Sequence, residues 1–280
     1  MATIEQYPEQ AEVYAPRYDL TANEAHLLCA DFLNSQEEVP QTALGCYIVD
    51  GSDPYSDLAR FVEGSVFLET FGNTPDDLAA EYGPYEPASQ MIIVIDHEAQ
   101  MPVGVLRTIH NSDAGLKSLA DLERTELGVT GDQVCRELDI DPQRCVDVGT
   151  LAIAPEYRGS AGQVLPSLLL YRSLYLKYLN HPDFDHVVTI IDKKAEKNLF
   201  KLNFPFRPIR DEYFNYIDSK KSRALYGVNQ EFYPSVSRRQ QELAQQAEAE
   251  QSDAKNWYAI MLDGLAHGTG LDEMLAFPKE

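Results

Sequence analysis

The chain is poor in basic residues, in cysteine and in long apolar runs. Its 280 residues carry 23 Lys+Arg against 45 Asp+Glu, a formal net charge of -22. A surface of that sign repels phosphate backbones and anionic lipid headgroups, so neither nucleic acid nor a membrane is an expected partner. Small cationic or zwitterionic ligands are attracted instead. No segment approaches the roughly 18 consecutive apolar residues of a membrane span. The longest uninterrupted candidate, residues 91–95, is strand-sized. The N-terminus, MATIEQ, lacks a basic region followed by an apolar stretch, so no secretory signal is expected. The four cysteines, Cys29, Cys46, Cys135 and Cys145, lie far apart with no Cys-x-x-Cys. This argues against a disulfide framework or a thiolate zinc site and for reduced thiols in a cytoplasm. The six histidines show no ligand spacing, and no metal is expected.

What is present suits a large core. Hydrophobic residues make up 44% of the chain, near the size at which one domain stops growing. Residues 1–60 carry helical and loop signals. Thr21 with Glu24 reads as a capping box, followed by Ala25, Leu28, Cys29 and Phe32 at helical spacing. From 61 to 235 strands and helices alternate. Residues 91–96 (MIIVID) and 103–109 (VGVLRTI) read as a hairpin across the turn at 97–100. Residues 113–142 form a polar, helical excursion. Residues 145–153 (CVDVGTLAI) read as a strand, 164–179 as an amphipathic helix, 186–191 as a strand, 193–202 as a short basic helix, and 204–233 as closing strands. The tail, 236–280, is helical, with Trp257, Ile260, Met261 and Leu265 forming an apolar stripe suited to the body or to a second subunit.

The unit from Cys145 to Leu179 is the most informative. A strand enters a short Gly-bearing loop that opens a helix, which gathers unpaired N–H groups and the positive helix end at one spot. Such a spot accepts a phosphate or pyrophosphate. Gly159 and Gly162 permit close approach of a ligand, and Arg158 adds a charge-assisted contact. The same loop equally serves as a plain strand-to-helix turn.

The stretch LAIAPEYRG, Leu151 to Gly159, closely resembles the acyl-CoA-binding motif of the GNAT superfamily of N-acyltransferases. The order hairpin, strand, loop, helix, strand, helix agrees over residues 61–215. The resemblance implies an α/β (α+β) domain, with a central mixed, twisted sheet flanked by helices, the N-terminal segment and helical C-terminal tail appended. It implies that Leu151, Ala152, Ile153, Arg158, Gly159, Ser160, Ala161, Gly162, Gln163 and Asn198 hold the acyl donor. The family's loop usually reads Arg/Gln-x-x-Gly-x-Gly/Ala; here Ala161 and Gln163 take the fourth and sixth positions, with Gly162 between. The tyrosine that many relatives carry on the later helix falls at about Leu199 or Phe200, so a phenolic acid is absent there.

Within that superfamily the N-terminal half is similar to the acyl-homoserine-lactone-synthase branch. That branch places paired acidic residues before the first long strand and an arginine on the returning one, the places of Glu81, Glu86 and Arg107. It places a glutamate before the cofactor loop, where Asp147 stands, and an arginine three residues on, where this chain has Thr150. The resemblance thus implies Asp147, Glu81 and Glu86 as catalytic carboxylates and Arg107 and Thr150 as substrate contacts. Arg107 is expected to pair with Glu81 or Glu86. Asp147 and Glu81 lead as the base that frees an amine, and Gly149 inside the strand suits a bulge that exposes an oxyanion donor.

The expected activity is acyl transfer from a thioester to the amine of a small acceptor such as an amino-acid derivative, by direct attack. Acyl-CoA is preferred as co-substrate, with no permanently bound cofactor. An acyl carrier protein is the second donor; Lys193, Lys194, Lys197, Lys201, Arg207 and Arg210 offer a basic patch for it, for the 3′-phosphate of CoA, or only a solvated helix face. The alternatives are a non-catalytic acyl-CoA sensor and an autoinducer synthase using the carrier protein. A homodimer is admitted by the Trp257 stripe.

Overall fold

The computed structural model describes residues 14–40, 42–158, 165–179, 181–217 and 219–249. In chain order the elements are α1 (Ala22–Ser35), β1 (Leu44–Asp50), α2 (Asp57–Phe71), α3 (Pro75–Tyr82), β2 (Ser89–Asp96), β3 (Met101–His110), α4 (Lys117–Asp121), α5 (Gly131–Leu138), β4 (Cys145–Ile153), α6 (Leu165–Leu174), β5 (His186–Asp192), α7 (Lys193–Lys201), β6 (Arg207–Pro208), β7 (Phe214–Tyr216), β8 (Ser219–Val228) and α8 (Asn229–Ala249).

Local chemistry sets several of these boundaries. Thr21 and Glu24 form the expected capping box at α1, and Thr74 and Asp77 form another at α3, with Pro75 in its first turn. The chain leaves α2 through Gly72, whose φ of +83° is open to glycine without strain. The last turn after α6, Tyr175–Leu179, widens into a π form.

The strands join one mixed sheet in the order β1-β2-β3-β4-β5-β8-β6, with β7 also on β8. Pairing is antiparallel except between β4 and β5, which run parallel. The apolar run in β2 is buried from Met91 to Ile95 because helices cover both faces of the sheet. One face carries α1 and α2 on Met91, Ile93, Ile95, Val105 and Ala152, and α4 and α5 on Cys145, Val188, Ile190 and Ala224. The other carries α6, α7 and α8 on Ile92, Val94, Leu106, Val146, Val187 and Leu225. No helix among the described residues is long and apolar enough to cross a membrane.

Three sequence expectations need correction. Residues 44–50 lie in the stretch read as helix and loop, yet form β1 and pair with β2 along their whole length. Residues 66–71, a short apolar segment inside the stretch where the alternation of strands and helices is expected from 61 onward, are the second half of α2, which starts earlier, at Asp57. Helix α8 begins at Asn229, inside the region read as closing strands, and runs past residue 236. The Trp257 stripe lies outside the described residues.

Candidate active site

Strand β4 is irregular on both of its edges at the same place. Toward β3, Arg107 pairs with Thr150 but Thr108 pairs with Val148, so Gly149 is an extra residue, a β-bulge. Toward β5, pairing runs from Cys145↔His186 to Val148↔Thr189 and then stops. Beyond that point β5 continues against β8 and β4 continues against β3. The sheet therefore opens between β4 and β5 one residue past the last pair, at the bulge.

The phase of the ladder says which groups face the opening. Ala154 N–H donates to the Val103 carbonyl at 2.9 Å. Hydrogen-bonded and non-hydrogen-bonded pairs alternate in an antiparallel ladder. In that phase Ala152 and Thr150 turn their backbone groups to β3, and Leu151 and Ile153 turn theirs to the opening. The Leu151 side chain is 37% exposed, whereas Ala152 is buried against α2. Arg158 folds back and its Nε donates to the Ile153 carbonyl at 2.6 Å. Asn198 is exposed on α7. Gly159, Ser160, Ala161, Gly162 and Gln163 lie outside the described residues.

The predicted carboxylates separate into two groups. Arg107, fully buried on β3, meets Glu63 through Nε at 3.0 Å and Nη2 at 2.6 Å, and Glu86 through Nη1 at 3.1 Å. Glu86 also accepts from Arg60, at 3.1 and 2.5 Å, and from the Tyr18 hydroxyl at 2.6 Å. Burial pushes the Glu86 carboxyl up, but Arg107 and Arg60 outweigh it and hold it below its ordinary range. The expected partner Glu86 is thus found, and the expected alternative Glu81 is not. Glu81 instead pairs with Lys117, a side chain 1% exposed. Lys117 also contacts Asp121 at 2.5 Å and the Tyr216 hydroxyl at 2.8 Å. Burial disfavours its charge, yet Tyr82, Asp121 and Glu81 hold its pKa above the ordinary lysine value.

Asp147 faces neither solvent nor the opening. It is fully buried and accepts from the Ser118 N–H at 2.5 Å and the Ser118 hydroxyl at 2.6 Å. A strand carboxylate thus serves one of the orphan amides at the start of α4. Burial pushes its carboxyl up to about 6, with the Ser118 bonds pulling the other way.

A polar cavity of about 610 Å³ opens beside the second group, lined by residues that include Asn73, Asp77, Glu81, Asp121, Arg124 and Tyr216. Glu81 is 24% exposed there, and Arg124 stands 3.7 Å from Glu81 and 3.5 Å from Asp121. Tyr82 follows Glu81 in the chain but is buried and turns to the bulge: its hydroxyl donates to the Gly149 carbonyl at 3.1 Å and accepts from Thr150 Oγ1 at 3.0 Å. Lys117, Asp121, Tyr82 and Tyr216 were not singled out from the sequence. The Lys117/Asp121 spacing of four is the one local signal for them.

No family model matches the chain, and no curated protein matches it in sequence. Solved structures do match. FeeM, an N-acyl amino acid synthase from uncultured soil microbes, gives a TM-score of 0.52 at 13% identity over 69% of this chain and 94% of its own. The CoA-dependent acyl-homoserine lactone synthase BjaI gives 0.49 at 10% identity, over 72% and 90%. The acyl-homoserine lactone synthase LasI gives 0.46 at 13%, over 67% and 91%. At this identity the likeness to FeeM is one of fold. The GNAT-like sheet expected from the sequence, mixed, twisted and flanked by helices, is the architecture found.

Proposed function

We propose that the chain transfers an acyl group from a thioester to the amine of a small acceptor. The observation that carries this reading is the coincidence of the β4 bulge with the β4/β5 opening, and the carboxylate-lined cavity at Glu81 lies next in sequence to Tyr82, which hydrogen-bonds the bulge. An acyl arm laid in the opening pairs with the backbone groups of Leu151 and Ile153 as an added strand would. FeeM, which shares the fold, makes N-acyl amino acids, which supports nitrogen as the acceptor atom.

In this reading the acceptor enters by the Glu81 cavity. The acceptor first gives its ammonium proton to solvent, and its neutral nitrogen then attacks the thioester carbonyl carbon, forming the C–N bond while the π electrons move to oxygen. The N–H of Leu151 stabilises that oxyanion. The nitrogen proton passes to the Glu81 carboxylate, directly or through a water. Collapse restores the carbonyl and breaks the C–S bond, and the departing thiolate takes up a proton to leave as thiol. Glu81 is favoured as base because it is part-exposed in the cavity and, with Lys117 on Oε1, keeps Oε2 outside hydrogen-bond distance of Arg124, whereas Asp147 is fully buried with both oxygens engaged by Ser118. Glu86 and Arg107 belong to the buried framework beneath.

Acyl-CoA is the favoured donor. Of the cations that could receive an acidic carrier protein, Arg207 pairs with Glu231 and Arg210 with Glu137. The lysines of α7 remain, on a body of net charge -22. The test is release of free thiol from a series of acyl-CoA chain lengths over a panel of amines and amino acids. Wild type is expected to release thiol with at least one amine, and Glu81→Gln to lower kcat by at least about 100-fold. Tight acyl-CoA binding without turnover on any amine would point to a sensor and overturn the reading.

A further inference from the structure

Tyr82 closes α3 and is 2% exposed. Its ring lies against Gly149, where an added Cβ would stand 3.6 Å from Tyr82 Cε1. Two buried cations flank the ring, Arg107 Cζ at 4.4 Å and Lys117 Nζ at 5.0 Å from the centroid. Each cation is held in turn, Arg107 by Glu63 and Glu86, Lys117 by Glu81 and Asp121. The ring is thus clamped from the two ion clusters, and its position against the sheet is set by groups on α2, α3, β3 and α4 together with Glu86.

Packing alone would be satisfied by phenylalanine. What the hydroxyl adds is directed at the bulge. A bulged residue falls out of the ladder, and its backbone groups need other partners. The Tyr82 hydroxyl donates to the Gly149 carbonyl, and the hydroxyl oxygen accepts from Thr150 Oγ1. The two hydrogen bonds tie successive residues of the irregular segment to one rigid ring. Rotation of the Gly149 carbonyl would break one bond, and displacement of Thr150 the other. The residue that follows, Leu151, turns its backbone toward the opening.

We infer that Tyr82 is a positioning residue: it holds the Gly149–Thr150 segment in the conformation that aims the next amide at the thioester carbonyl. This inference rests on the acyl-transfer reading. It assigns Tyr82 no contact with the reacting atoms. It also joins the buried ion clusters to the reaction, because they fix the ring that fixes the bulge.

The experiment uses the full chain with Tyr82→Phe, which keeps the ring and its cations but removes both hydrogen bonds. Thiol release gives kcat and KM for acyl-CoA, and hydrogen–deuterium exchange follows the peptide covering residues 145–153. The expected result is a fall in kcat of roughly 10- to 100-fold, the scale of a misaimed catalytic group. KM for acyl-CoA stays within about twofold and exchange across 149–151 accelerates. Thr150→Val removes one bond and gives a smaller loss in the same direction, and it serves as the test should Tyr82→Phe fail to fold. A kcat within twofold of an active wild type overturns the inference, as does a change confined to KM. If wild type itself releases no thiol, the acyl-transfer reading has failed. Exchange then decides alone, and unchanged exchange overturns the clamping role of Tyr82.

Discussion

Asp147 owes its environment to a strand position and to a partner far away in the chain. Its position before the loop matches a carboxylate of the acyl-homoserine-lactone-synthase branch, and it does sit two residues from the bulge. Its oxygens, however, are both taken by Ser118 from a helix that the sequence places about 30 residues earlier. Burial raises its carboxyl from 3.8 to about 6, against the pull of those hydrogen bonds. Between about pH 4 and pH 6 the folded chain therefore keeps a proton that the unfolded chain releases. The stability tied to this group is fullest below pH 4, declines as pH rises to 6, and is level above that. Two units at 1.36 kcal/mol each give about 3 kcal/mol. Urea unfolding of wild type and Asp147→Asn across pH 4 to 7 checks this. The wild type is expected to lose about that much relative to the variant as pH rises. Parallel curves would show that the buried carboxyl does not titrate in this window.

At the scale of elements, legibility followed locality. The β2–β3 hairpin and β4 are β-branched runs bounded by turns, so periodicity finds them, and the bulge in β4 is announced by a glycine inside a strand. Strand β1, LGCYIVD, lies on the edge of the sheet with Ile48 exposed, and its pattern lacks the clean alternation that a strand reading needs. Helix α4 falls within the excursion read as helical at 113–142, but with five residues and no side-chain cap its bounds carry little local signal beyond the Lys117/Asp121 spacing. The contacts that build the site span long separations: Glu81 to Lys117, Arg107 to Glu63, Tyr82 to Gly149. Sequence spacing carries no information about those, and only the family resemblance brought Glu81 and Arg107 forward. The bulge itself makes an element-scale prediction. A Cβ at Gly149 would meet Ile109 Cδ1 at 3.0 Å, the mobile end of a side chain, and nothing else closer than 3.6 Å. Gly149→Ala is expected to fold with a loss under about 1 kcal/mol. Gly149→Val drives further atoms into Ile109, Tyr82 and Arg107 and should cost about 1–3 kcal/mol, as overpacking does. Denaturant midpoints of the two variants decide this, and equal midpoints would place the glycine's role outside packing.

For the whole molecule the charge of -22 would act with opposite sign on the two substrates proposed above, acyl-CoA and an amine. A polyanionic acyl-CoA approaches against the field of the body, while an amine is drawn toward it, most of all at the cavity where Asp77, Glu81 and Asp121 face Arg124. Screening shortens the reach of that field from about 30 Å at 0.01 M salt to about 8 Å at 0.15 M. Raising salt over that range should therefore raise kcat/KM for acyl-CoA and lower kcat/KM for a cationic amine, each by a few-fold, in the same preparation. The lysines of α7 work against the first effect only at short range, since a charge farther than one screening length contributes little. Steady-state rates with one substrate saturating and the other varied, at several NaCl concentrations, measure both slopes. Slopes of the same sign for donor and acceptor would mean that local patches, rather than the acidic body, govern how the substrates reach the opening in the sheet.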